Sequence, residues 1–143
     1  MKKIICIITV VLMVASVVYA QTKAAKGITA NDLPAMKGIW SGILGFGTVV
    51  EGGSAPATLE ILNDSVPVKG KLTVQNMQEA LTQGLGLPSG TNTFEADGVI
   101  TTHGTIMFTG KSGFFEITKS GDKKIKVSYW YSRLKGDGSF TKK

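Results

Sequence analysis

Cysteine, histidine and arginine are nearly missing from this chain. Cys6 is the only cysteine, His103 the only histidine, and Arg133 the only arginine among 16 basic residues. Each scarcity removes a class of chemistry. Cys6 sits in an apolar N-terminal run, so the rest of the chain has no thiol. It can form no disulfide, thiolate nucleophile or cysteine-ligated metal site. One histidine does not supply the converging ligands of a zinc site. A Ser-His-Asp arrangement could use only His103, and no Gly-x-Ser-x-Gly elbow accompanies it. No cofactor is implied. The basic residues are lysines dispersed along the chain, not the clustered Arg and Lys of a nucleic-acid reader. They read as a solvated surface with weak attraction for anionic lipid or polysaccharide.

Lys2 and Lys3 open the chain. An apolar run from Ile4 to Val14 follows, broken by Thr9, and the small residues Val18 and Ala20 come after it. This is the layout of a secretory signal peptide cleaved before Gln21. The uninterrupted apolar stretch is short of the roughly 20 residues of a membrane span. Cys6 has Lys3, not leucine, three residues upstream, which argues against a lipoprotein site. The expected organisation is a signal peptide over 1–20, a polar leader over 21–37 and a β-barrel domain over 38–143. The product is an exported, periplasmic or extracellular protein with no transmembrane segment after cleavage. The net charge of +6 falls to +4 when Lys2 and Lys3 leave. The remaining length suits one domain that buries a core without metals or disulfides.

All 18 glycines lie after residue 26. They punctuate short segments rich in Val, Ile, Thr and aromatics, the habit of an antiparallel sheet with tight turns. Ala30 to Met36, around Pro34, suits one helical turn. Gly38 to Phe46 reads as a strand with Trp40, Gly42, Leu44 and Phe46 on one face. Ala57 to Leu62 is the next. Pro67 to Gln75 alternates most cleanly, with Val68, Gly70, Leu72 and Val74 opposite Lys69, Lys71, Thr73 and Gln75. Asn76 and Glu79 suggest a capped helix over Asn76–Gln83, with Met77 and Leu81 on one face and Gly84 as its stop. Asp97-Gly98 signals a hairpin between Thr93–Ala96 and Val99–Thr102. Strands over Thr105–Thr109 and Phe114–Thr118 follow. A long strand over Lys124–Leu134 puts Ile125, Val127, Tyr129, Tyr131 and Arg133 opposite Lys124, Lys126, Ser128 and Trp130. Asp137-Gly138 then turns a closing strand at Ser139–Lys142. The count is eight or nine strands. The expected fold is all-β, a small antiparallel up-and-down barrel of about eight strands with one short helix. A two-sheet β-sandwich is the alternative.

Gly38-Ile39-Trp40 on the first strand and Arg133 on a late strand resemble the lipocalin and wider calycin group. There a first-strand tryptophan is covered by an arginine from a late strand. The resemblance implies a structural pair, Trp40 and Arg133, in which the guanidinium stacks on the indole while bonding backbone carbonyls. The chain lacks the second loop motif, the long C-terminal helix and the disulfide usual in lipocalins.

Two functional readings follow. The first is a non-enzymatic binding protein holding a small apolar ligand inside the barrel. Its lining candidates are Trp40, Leu72, Phe108, Phe115, Tyr129 and Tyr131. The second is a surface module for a protein, glycan or membrane-surface partner, using Trp130 on the wet face beside Lys124 and Lys126. An enzyme using carboxylates alone would need two of them to converge, and Glu60, Glu95 and Glu116 are expected on the wet face. Gly104 to Ser112 imitates a phosphate loop, but five residues separate its glycines where the motif needs four. Asn63-Asp64-Ser65 matches a glycosylation acceptor, and also a turn.

Overall fold

The computed structural model describes residues 27–47, 52–82, 87–111 and 113–143. The expected signal peptide, leader residues 21–26 and the helix stop at Gly84 lie outside these. A 3-10 turn at Ala30–Asp32 runs into helix α1 (Leu33–Met36). Strands β1 (Gly38–Gly47), β2 (Gly52–Ile61) and β3 (Val68–Met77) follow, then α2 (Glu79–Thr82). The chain continues through β4 (Gly90–Ile100), β5 (Thr105–Gly110), β6 (Gly113–Gly121), β7 (Lys124–Tyr131) and β8 (Leu134–Lys142). Each strand pairs antiparallel with its sequence neighbours. β8 returns to β1, with Trp40 opposite Lys142 and Gly47 opposite Lys135, so the sheet is a closed up-and-down barrel.

The alternation seen in the sequence sets the two walls. Val68, Leu72 and Val74 of β3 are buried inside, while Lys69 and Gln75 are exposed outside. A strand's side chains alternate faces, so one register places every apolar residue inward. The outer wall is dominated by Lys, Glu, Asp, Ser and Thr, the reverse of a barrel whose outside meets lipid. No helix among the described residues is long and apolar enough to cross a membrane.

Both Asp-Gly dipeptides were misleading. β4 runs straight through Asp97-Gly98, and the real turn is at Thr101–Gly104. Gly98 is there for packing: a Cβ on it would lie 2.7 Å from the Phe108 ring. Asp137-Gly138 lies inside β8, where a Cβ on Gly138 would strike the Ile43 carbonyl. The strand expected over Lys124–Leu134 is instead split by a two-residue turn, Ser132-Arg133, between the paired Tyr131 and Leu134. Ser132 makes that turn at φ 53°. Merging two expected strands into β4 settles the number at eight. The helix is also shorter than expected. Asn76 is not its cap but a β3 residue at φ 54°, in the irregular stretch between Val74 and Met77. Met77 and Leu81 are both buried, as their spacing suggested.

Residues 27–37 of the leader are not a loose tail. Ile28, Leu33 and Met36 are buried and cover one end of the barrel. The Ile28 amide donates to the Gly104 carbonyl at 2.7 Å. Thr29 and Asp32 form a reciprocal capping pair, and Lys119 at the end of β6 donates to Asp32 at 2.8 Å. α2 serves the opposite end, where Leu81 lies over Gly53.

Candidate functional site

Aromatic rings and the glycines beneath them fill the barrel. Phe108 stacks on Phe115 with centroids 4.5 Å apart, and Phe94 lies 4.7 Å from Tyr129. Phe108 rests on Gly70 and Gly98, Phe140 on Gly42 and Phe46 on Gly136, each at distances that leave no space for a Cβ. Five of the six expected lining residues are closed off. Leu72, Phe108 and Tyr129 are 0 % exposed, Trp40 and Phe115 1 %. These side chains are enclosed by packed neighbours, with no void of water size against them. Tyr131 is half-buried at the α2 end, packed against the core. Burial also pushes the Tyr129 hydroxyl well above the usual phenol range, with the neighbouring Tyr131 adding to the shift.

The expected Trp40–Arg133 pair does not form. Arg133 is exposed in the β7–β8 turn, at the end of the barrel away from Trp40. The strand carrying it stops at Tyr131, so the parity linking Arg133 to Ile125 and Tyr129 ends before reaching it. Lys142 takes the place foreseen for arginine. Its Nζ stands 5.7 Å over the Trp40 ring and donates to the Ala35 carbonyl at 2.5 Å. The Trp40 Nε1–H donates to the Met36 carbonyl at 2.8 Å. A last-strand cation and a first-strand indole thus hold the leader in place.

The other expected sites disperse. His103 is exposed in the β4–β5 turn. Among the described residues no three His, Cys, Asp or Glu side chains gather in a metal-binding group. Glu60 and Glu95 share a register row on the outer wall with Lys71 between them, and do not converge. The Asn63 side chain accepts from the Lys69 amide at 2.6 Å and donates to Ser65 and Pro67 carbonyls, so it builds the β2–β3 turn. Gly104 to Gly110 is a turn and strand, with no helix to receive a phosphate.

One region of the outer wall stands apart from its Ser/Thr-rich surroundings. Trp130 on β7 lies opposite Phe114 on β6 and Lys135 on β8. The Phe114 and Trp130 rings stack at 4.9 Å and 16°, with Phe114 40 % exposed. Lys135 Nζ stands 5.8 Å from the Trp130 centroid and bonds Asp137 at 3.1 Å. Ser128 donates to the other Asp137 oxygen at 2.6 Å. The Ser128 hydroxyl first, with Lys135, holds the Asp137 carboxyl below the usual carboxylate range. Beside them runs an open groove of about 410 Å³, bordered by Lys126, Ser128, Asp137 and Ser139.

The next strand exposes Ile43 opposite Ser139 and is bare beyond it. Gly45 faces Asp137 and Gly47 faces Lys135 across the β1–β8 seam. Neither has a positive φ. A Cβ would meet only the Asp137 carbonyl, at 3.7 Å, from Gly45 and nothing from Gly47. Glycine in a strand interior weakens it, and at Gly45 neither packing nor backbone conformation requires it.

Sequence reasoning reached Trp130 but missed Phe114, Lys135 and Asp137. The signal for Phe114 was its neighbour: in a strand, Phe114 and Phe115 must face opposite walls. Asp137 was hidden by its reading as a turn residue. No family model matches the chain, and no curated protein matches it.

Proposed function

We propose that this chain is an exported, non-enzymatic binding module whose binding face is the outer wall of β6, β7, β8 and the neighbouring part of β1. The observation that carries the reading is the Phe114–Trp130 stack under Lys135, with Ile43 exposed on the neighbouring β1, on a wall lined mainly with hydroxyls and charges. A large aromatic on a water-facing strand leaves apolar area exposed, and such area beside polar groups is what partner-binding surfaces use. The bare backbone at Gly45 and Gly47 supports it, since it leaves room for a partner to approach the wall. A ligand inside the barrel has less support. The closed side chains of Leu72, Phe108 and Tyr129 would have to separate to admit one.

The test is photo-crosslinking in the native host. A photoreactive residue replaces Gly47 on the proposed face in one variant, and Thr91 on β4 in another. Adducts from position 47 that disappear with Trp130→Ala, and that position 91 does not give, are the expected result. Equal adducts from both positions would discard the face. Native mass spectrometry of the host-purified protein carries the rival outcome, a small molecule retained through Trp130→Ala.

A further inference from the structure

We infer that this face takes an acidic polysaccharide, an extended chain of pyranose rings bearing carboxylates; the inference rests on the binding face proposed above. The groove between β7 and β8 supplies the first ground. Lys126 and Ser128 border it on one side, Asp137 and Ser139 on the other. Ser128 and Asp137 bond each other across it, and a hydroxyl-rich ligand can add bonds to that pair and to Lys126 and Ser139. Lipid tails or an apolar peptide face would desolvate these groups, which is costly.

The second ground is the aromatic stack at the groove's end. One face of Trp130 is occupied by Phe114 and the ring lies under Lys135. Phe114 keeps substantial exposed area. It offers an apolar surface to the C–H face of a sugar ring. Met107 lies diagonally across on β5 and extends that surface, facing Val99 on β4 in turn. These contacts are short and broken by polar rows, which suits single rings along a chain.

Charge chooses among glycans. The outer positions of β6, β7 and β8 carry Lys124, Lys126 and Lys135 against Glu116 and Asp137. Glu116 is already bonded by Thr105, and Asp137 by Lys135 and Ser128. Three cations against two occupied carboxylates leave the wall net positive, and the whole chain is basic. A carboxylated chain complements it, with an affinity that falls as salt rises. The bare backbone at Gly45 and Gly47 lets such a chain lie close against β1.

The experiment follows backbone amides by NMR in the signal-free protein. The probes are oligogalacturonate, a neutral maltooligosaccharide of equal length, and vesicles of phosphatidylglycerol. Saturable shifts at Gly45, Gly47, Ser128 and Trp130 with oligogalacturonate are expected, with at least tenfold weaker binding of the neutral sugar. Trp130→Thr and Lys126→Glu should each weaken binding at least fivefold while the melting transition persists. Equal binding of both sugars, or shifts elsewhere on the barrel, overturns the proposal. Vesicle binding at these same amides, without sugar binding, overturns the glycan and keeps the face. No response to any probe, with no adduct from position 47, removes both.

Discussion

Lys142 caps Trp40: its Nζ stands over the indole at 5.7 Å and bonds the Ala35 carbonyl, while the indole N–H bonds the Met36 carbonyl. A single cation joins the last strand, the first strand and the leader. Lys142→Ala should cost about 1–2 kcal/mol, the sum of a modest cation–π contact and a charged hydrogen bond. Arg133→Ala should fall within about 0.5 kcal/mol of wild type, as exposed positions do. Urea denaturation of the two variants separates them, and a reversed order would refute the pairing.

The leader's other fastening is electrostatic. Hydrogen bonds from Lys119, then Thr29, hold the Asp32 carboxyl far below its ordinary value of 3.8. A carboxyl lowered on folding stabilises above its unfolded pKa, and that contribution is lost as pH falls through the folded one. Asp32→Asn should therefore be less stable than wild type at pH 7, with the gap closing only in strongly acidic solution. The Lys119 ammonium is raised by the same hydrogen bond. Its contribution is present below the ordinary lysine value of 10.5 and fades as pH rises past it. Denaturant midpoints of the two proteins across pH check this; a constant gap would rule out the ion pair as its cause.

Two glycine substitutions should separate packing from access. Gly98→Ala drives a methyl into the Phe108 ring and should cost about 1–3 kcal/mol, as overpacked cores do. Gly47→Ala meets nothing within 4 Å. It should be neutral or stabilising by roughly 0.5–1 kcal/mol through the unfolded chain. Thermal melts report both, and a destabilised Gly47→Ala would mean the fold requires that glycine after all.

Asn63 makes a third structural test. Its amide satisfies the Lys69 N–H and two carbonyls of the β2–β3 turn. Asn63→Ala should cost about 1 kcal/mol or more, and Asn63→Asp should recover the bond to Lys69 but not those to the carbonyls. Amide exchange at Lys69 reads that difference directly.

The barrel was legible because period-two alternation sorts side chains without knowledge of neighbours: Val68, Leu72, Ile125 and Val127 all lie where it put them. Turns were less so, because Asp-Gly has two physical uses. It suits a tight turn, and its glycine also suits a strand crossed by a large ring, as at Gly98 under Phe108. Local sequence does not distinguish these. The ring comes from another strand. Lys142 was hidden for a similar reason. Nothing local marks one terminal lysine as the residue that meets Trp40; only the β8–β1 register does. The outer-wall cluster needed the same long-range information, since Phe114, Trp130 and Lys135 belong to three strands.

Closure between β1 and β8 also constrains assembly. The seam joins the first strand to the last, so the ring is incomplete until β8 has been made. Before then β1 lacks one neighbour, and Trp40 lacks the lysine above it. This one distant pairing carries a large loop-closure entropy, which slows completion of the ring relative to the local hairpins.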